Sequence, residues 1–143
     1  MSPNLIPFSK QFLIGDEIEN INQLLNKDQI YNSINWELRC QKVLTNFLGT
    51  DKFYLTNSCT SSLEISAHLS KFKIGDEFIL PSYTFTSSAN AFVMRGGVPV
   101  FVDVREDTLN IDENKIEEAI TKKTRAIVVV HYAGVCCEME KIL

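Results

Sequence analysis

The residues best suited to chemistry lie in Leu55-Thr56-Asn57-Ser58-Cys59-Thr60-Ser61-Ser62-Leu63, where an apolar run breaks into five consecutive small hydroxyl or thiol side chains before a helical pattern resumes. A helix starting at Thr60 or Ser61 presents unpaired backbone N–H groups and the positive end of its dipole to whatever faces it. Small side chains let an anion approach those groups, so the stretch reads as a phosphate cradle. Ser and Thr are also favoured at helix starts for local reasons that need no ligand. Cys59 has no evident partner base and is not read as a nucleophile.

Two later segments supply complementary groups. Residues 82–88 place Tyr83 and Phe85 among hydroxyl side chains, and His131-Tyr132-Ala133-Gly134 sets an imidazole just past a continuous apolar run. A phosphate seat, an aromatic face and a titratable ring together suit a planar heteroaromatic phosphate. The sequence contains no GxGxxG, GxxxxGK(S/T) or GxSxG, which disfavours a Rossmann dehydrogenase, a P-loop NTPase and an α/β-hydrolase.

The elements that must position these groups alternate. Residues 53–56, 77–80, 98–102 and 125–130 read as strands, and 60–71, 89–95 and a segment capped by Asp112 read as helices. Leu63, Ile65, Ala67, Leu69 and Phe72 are assigned to the interior. Strands without polar alternation, separated by helices, predict an α/β fold with a mostly parallel sheet covered on both faces. Ligands in such folds sit outside the carboxyl ends of the strands. The loops 57–62, 81–88 and 131–134 all fall there. Earlier in the chain, Ile6-Pro7-Phe8 reads as an extended arm. Asp16 and Glu19 have capping-box spacing before a helix bearing Ile18, Ile21 and Leu25. Residues 28–35 read as a loop. Trp36, Cys40, Val43 or Leu44, and Phe47 form the core stripe of a second helix that stops at Gly49.

Composition narrows the function. The 143 residues, 45% hydrophobic and 22% charged, suit one globular unit, and a net charge of -4 with scattered basic residues gives no general affinity for nucleic acid. No apolar run approaches the roughly 20 residues of a membrane span, and Met1-Ser2-Pro3-Asn4 does not open a signal peptide. A cytoplasmic protein without membrane association is expected. Cys40, Cys59, Cys136 and Cys137 form no CxxC pair. Neither a metal site nor a disulfide framework is indicated, and buried thiols are expected.

Taken together, Ile6-Pro7-Phe8, Ser58-Cys59-Thr60-Ser61-Ser62-Leu63-Glu64, Gly75-Asp76-Glu77, Pro81-Ser82-Tyr83-Thr84-Phe85, Ser88-Ala89-Asn90-Ala91-Phe92-Val93, Val100-Phe101-Val102-Asp103-Val104 and Val130-His131-Tyr132-Ala133-Gly134 resemble the DegT/DnrJ/EryC1/StrS sugar aminotransferases. The resemblance implies the type I fold of pyridoxal 5'-phosphate enzymes, homodimers, and transfer of an amino group from glutamate to the C4 ketone of a dTDP-4-keto-6-deoxy sugar in surface polysaccharide synthesis. It places Thr60 and Ser61 at the cofactor phosphate, Phe85 on the pyridine ring and His131 near the pocket, with no catalytic step assigned to His131. His68, in mid-helix, reads as a surface histidine.

The family's glycine-containing segment near residues 31–36 has no glycine here. The resemblance further implies that residues 1–143 are an incomplete large, cofactor-binding domain. The Schiff-base lysine, the aspartate that pairs with the pyridinium nitrogen and the small C-terminal domain would then lie downstream of residue 143. This chain alone is expected to be inactive. A second reading is a non-catalytic binding or assembly module that keeps the scaffold.

Overall fold

The computed structural model describes residues 9–25 and 33–143; the arm at 6–8 and residues 28–32 of the predicted loop lie outside them. Contacts gather into two compact units, Met1–Leu55 and Thr56–Leu143.

In the first unit α1 spans Glu17–Leu25 and α2 spans Ser33–Leu48. The carboxylate of Glu17 closes the start of α1 by accepting the N–H groups of Ile14 at 2.7 Å and Gly15 at 2.9 Å. That is one position away from the Asp16 and Glu19 pair of the sequence reading. Helix α2 begins inside the predicted loop, because polar residues such as Ser33 and Asn35 are as much at home in a helix's first turn as in a loop. It ends as predicted, with Gly49 in the left-handed region and Thr50 N–H bonded to the Thr45 carbonyl at 3.2 Å. The predicted core stripe of α2 is a correction, and the apolar face of α1 is open as well. Ile18, Ile21, Leu25, Cys40, Val43 and Phe47 are exposed, Phe47 by 83%. Helical periodicity identifies which face is apolar, and a separate partner surface is needed to cover it.

The second unit is built on three strands, β1 at Glu77–Pro81, β2 at Val98–Val102 and β3 at Thr124–Ile127, in the order β2-β1-β3 and parallel throughout. Helix α3 (Cys59–Leu69) precedes β1, α4 (Ser87–Val93) links β1 to β2, and a 3-10 turn at Glu113–Lys115 leads into α5 (Ile116–Ala119) before β3. Helix α6, at Met139–Ile142, lies near the chain end. The segment 53–56 is no strand, since no strand among the described residues pairs with it and an extended segment without a pairing partner is not stable on its own.

Central position explains the unbroken apolar run in β1. Phe78 and Leu80 enter a cluster with Ala67, Ala91, Phe92 and Val128, whereas Ile79 enters the opposite one with Val102, Ile111, Ile116 and Cys137. The period of two therefore delivers successive side chains to two cores, each buried aliphatic or aromatic group contributing about 1.5–3 kcal/mol. Gly97 fits closely against the first core, where a Cβ would stand 3.1 Å from the Phe72 and Phe78 rings and 3.0 Å from the Phe92 carbonyl oxygen, tighter than ordinary van der Waals contact. On α3, Leu63 and Ala67 face this core. Ile65 and Leu69, also predicted inside, are exposed; they stand two and six positions from Leu63, off the face a 3.6-residue period allows. Cys137 is the one buried thiol, while Cys40, Cys59 and Cys136 are exposed, against the expectation of buried cysteines. An apolar neighbourhood, not thiol chemistry, decides burial here.

Candidate functional site

The connection from α3 to β1 sets the place of the hydroxyl-rich turn. After α3, Lys71 adopts a left-handed conformation, Lys73 N–H bonds the Asp76 carboxylate at 2.8 Å, and β1 begins at Glu77. The chain thus reverses. Eleven helical residues and five strand residues each span about 16 Å, so a helix returning antiparallel to β1 would bring its start level with the carboxyl end of that strand. The loops after β1 and after β3 leave the sheet from that same end.

Ser58 is the N-cap of α3, its Oγ accepting Ser61 N–H at 3.1 Å. Ser61 Oγ donates to Asn57 Oδ1 at 2.8 Å, and Thr56 Oγ1 lies 2.6 Å from Ser62 Oγ. Helix geometry leaves the N–H groups of Cys59 and Thr60 without an i−4 carbonyl. The first turn carries no acidic residue, and Cys59 and Thr60 are exposed. The donors are therefore accessible, uncharged and accompanied by the positive end of an eleven-residue helix. An anion suits this donor set.

The aromatic loop follows β1. Ser82 N–H still bonds the Val102 carbonyl at 2.8 Å, which carries the sheet pairing into the loop, and Thr84 Oγ1 lies 2.9 Å from Ser88 Oγ at the start of α4. Between them Phe85 is 75% exposed, so its ring is not a core aromatic.

His131 and the 3-10 turn Tyr132–Gly134 follow β3. The imidazole Nδ1 accepts Cys137 N–H at 3.0 Å, which leaves Nε2 to carry the proton in the neutral ring. His131 is exposed. Ala133 and Gly134 both have positive φ, 51° and 83°. Cys137 donates its thiol hydrogen to the Val130 carbonyl at 3.2 Å, and burial pushes that thiol's pKa up, so it is held as a neutral packing group.

Two of the three loops meet directly. The hydroxyls of Tyr83 and Tyr132 are 3.2 Å apart and their ring centroids 5.1 Å; this shared hydrogen bond raises the Tyr132 pKa. Among the described residues no hydrogen bond joins the 57–62 turn to either of the others. His68 is exposed on α3, away from the helix start.

The sequence reading passed over the residues that hold the third loop in place. Asn110 is 2% exposed; its Nδ2 donates to the Val135 and Cys136 carbonyls at 3.0 Å each, and its Oδ1 accepts Tyr132 N–H at 2.8 Å. Glu113, with a side chain only 1% exposed, pairs with Arg105 at 3.0 Å and Lys141 at 2.9 Å. The Lys141 ammonium above all holds its carboxyl below the ordinary carboxylate range. Nothing local marks either residue, because their partners lie 22 to 28 positions away or in a separate turn.

Among the described residues no three His, Cys, Asp or Glu side chains converge as metal ligands, and no helix is long and apolar enough to cross a membrane. The profile of the DegT/DnrJ/EryC1/StrS aminotransferase family matches residues 12–143. The spore coat polysaccharide biosynthesis protein SpsC of Bacillus subtilis is 34% identical over 140 residues, which is 98% of this chain and 36% of SpsC. Two solved structures share the fold. Spr1654 from Streptococcus pneumoniae in its PMP form has TM-score 0.81 and 30% identity, over 96% of this chain and 34% of that one. NtdA from Bacillus subtilis with bound cofactor PMP has TM-score 0.78 and 35% identity, over 90% of this chain and 30% of that one. The chain spans about a third of the length of the curated relatives it matches. By its sequence and by its fold it belongs to the DegT/DnrJ/EryC1/StrS aminotransferase family.

Proposed function

We propose that these residues form the cofactor-phosphate end of a pyridoxal 5'-phosphate-dependent sugar aminotransferase. The proposed reaction takes glutamate as amino donor and a dTDP-4-keto-6-deoxy sugar as acceptor, as a dTDP-4-amino-4,6-dideoxygalactose transaminase would, in surface polysaccharide synthesis. The observation that carries the reading is the start of α3, an eleven-residue helix whose first-turn N–H groups and hydroxyls are accessible and have no carboxylate among them. Family membership and the polysaccharide role named for SpsC support it.

In this reading pyridoxal phosphate, when bound, supplies the electron sink that transamination needs. The chain's own residues bind and orient. Thr60 holds the phosphate through its free N–H and its hydroxyl, and Ser61 joins it when its N–H and hydroxyl turn from Ser58 Oγ and Asn57 Oδ1 to the anion. The open ring of Phe85 offers a flat face worth roughly 0.5–1.5 kcal/mol beyond its area, enough to orient a heteroaromatic ring. His131, fixed through Nδ1, lines the pocket with an Nε2–H donor. A homodimer is the expected assembly. None of the ten lysines present lies in a Ser-Phe-His setting, so residues 1–143 by themselves bind without turning over.

The test uses Thr60→Ala in the whole protein. Loss of a hydroxyl donor to a charged group costs roughly 1.5–3 kcal/mol, about one to two decades in affinity, and pyridoxal phosphate titration followed by visible absorbance should show that loss with an unchanged melting temperature. Affinity unchanged from wild type in both Thr60→Ala and Ser61→Ala would reduce the turn to an N-cap and favour a scaffold without chemistry. Borohydride reduction of isolated residues 1–143 with pyridoxal phosphate should label no single lysine stoichiometrically; such labelling together with glutamate-dependent turnover would overturn the assignment of lysine chemistry elsewhere.

A further inference from the structure

The turn that carries His131 and Tyr132 does not hold itself. Its own bonds are short-range, from Tyr132 N–H to the Val130 carbonyl at 3.1 Å, Gly134 N–H to the His131 carbonyl at 3.1 Å, Val135 N–H to the Tyr132 carbonyl at 3.0 Å and Cys137 N–H to His131 Nδ1 at 3.0 Å, and they must enforce positive φ at Ala133, an alanine, where a left-handed conformation is unfavourable. Three bonds from one distant side chain supply what is missing. Asn110 grips Tyr132 N–H at one side of the turn and the Val135 and Cys136 carbonyls at the other. It spends three of the four hydrogen bonds its amide can make.

The grip is itself anchored. Arg105 N–H donates to the Asn110 carbonyl at 2.9 Å, Asn110 N–H reaches Thr108 Oγ1 at 3.3 Å, and Asp112 N–H bonds the Asp103 carbonyl at 2.9 Å. The next residue, Ile111, is 1% exposed in the core that holds Ile79 and Cys137. The amide is therefore mounted on a closed loop fastened to the sheet. Beyond the turn, the Tyr132 hydroxyl meets that of Tyr83, two positions before Phe85.

We propose that Asn110 is a positioning residue of the site: its amide fixes the 131–136 turn, and through Tyr132 and Tyr83 it ties the orientation of the aromatic loop to that of His131. This rests on the functional reading above for the part that concerns catalysis, and on the hydrogen bonds alone for the part that concerns the turn. A side chain that only filled space would leave the turn's geometry to its neighbours. A positioning side chain controls groups it never touches.

The experiment compares wild type, Asn110→Ala and Asn110→Asp in the whole protein. Asn110→Asp keeps an acceptor for Tyr132 N–H and loses the donors to Val135 and Cys136, and it serves as the readout should Asn110→Ala fail to fold. Amide hydrogen exchange should show protection of Tyr132 and Cys137 falling at least about tenfold in Asn110→Ala, with Tyr132 partly protected in Asn110→Asp and the β1 amides unchanged in both. Unchanged exchange across 131–137 would overturn the proposal. In steady-state assays well below the melting temperature, kcat should fall about 10–100-fold, the scale of a misplaced site, with Asn110→Asp intermediate. A lowered melting temperature with kcat untouched would make Asn110 structural only and also overturn it. A wild-type protein that binds no pyridoxal phosphate and transfers no amino group would sink the functional reading, leaving hydrogen exchange to decide the role of Asn110 in the turn.

Discussion

The 57–62 turn and the 131–137 turn are built in opposite ways. In the first, exposed hydroxyls bond one another across no more than six positions. In the second, a buried amide reaches across 22 to 26 positions to hold three backbone groups. Water can replace almost everything in the first and little in the second. The difference suits two tasks. A site for a small anion gains from donors that are already accessible, whereas an imidazole that must keep one tautomer and one orientation gains from a frame that does not relax.

The largest expected effect lies on the buried side. Asn110→Ala would leave the Val135 and Cys136 carbonyls without their amide donor and Tyr132 N–H with only its bond to the Val130 carbonyl at 3.1 Å, and an unsatisfied buried polar group costs about 1–3 kcal/mol. With some relaxation of the turn toward solvent, a loss of about 3 kcal/mol in denaturant unfolding is expected. A loss under about 1 kcal/mol would erase the contrast between the two turns.

Glu113 sharpens the same contrast through pH. It is the buried carboxylate of the unit, and its Oε2 has no partner beside the two cation bonds made by Oε1. Its carboxyl is held below the ordinary value of 4.5, chiefly by the Lys141 hydrogen bond. A group whose pKa is lower folded than unfolded binds its proton more readily in the unfolded chain, so its contribution is present above the unfolded value and is lost as pH falls through the folded one. Stability should therefore decline from about pH 5 downward, and Glu113→Gln should flatten that decline. Asp107, held by Arg105 to about 2, contributes in the same direction and keeps a residual slope in the variant. Urea midpoints measured between neutral pH and pH 3 check it; identical slopes in wild type and variant would remove Glu113 from the balance.

The contrast also explains what was legible in the sequence. The Ser58 region, the strand at 98–102 and the Asp112 cap, whose Oδ1 accepts Asn114 N–H at 3.1 Å, depend on neighbours in sequence, and all three are read correctly or within two residues. Asn110 and Glu113 look like ordinary loop and helix-start residues, because what defines them arrives from the far side of β3 and, for Glu113, also from the turn of Arg105. The misreadings at 53–56 and along α2 have one origin. An apolar pattern states what a segment would do if a partner were present, and pairing or coverage is a property of the rest of the fold.

The smallest effect is expected at the exposed turn. Ser58 Oγ accepts Ser61 N–H at 3.1 Å and lies 3.0 Å from Ser61 Oγ, and these residues lie at the surface, so Ser58→Ala removes a cap whose partners water can serve. Loss of a serine N-cap typically costs about 0.5–2 kcal/mol, and exposure places this one near the lower end, at about 1 kcal/mol or less. Ser61 N–H, released from the cap, becomes a third free donor of the first turn beside those of Cys59 and Thr60. Ser58→Ala should then lower the melting temperature slightly while leaving phosphate affinity equal to wild type or higher, the reverse of Thr60→Ala, which lowers affinity at constant stability. Isothermal titration with inorganic phosphate alongside thermal unfolding separates the two. If Ser58→Ala instead costs as much stability as Asn110→Ala, the exposed turn is as tightly built as the buried one, and the division between an accessible anion seat and a fixed imidazole frame fails.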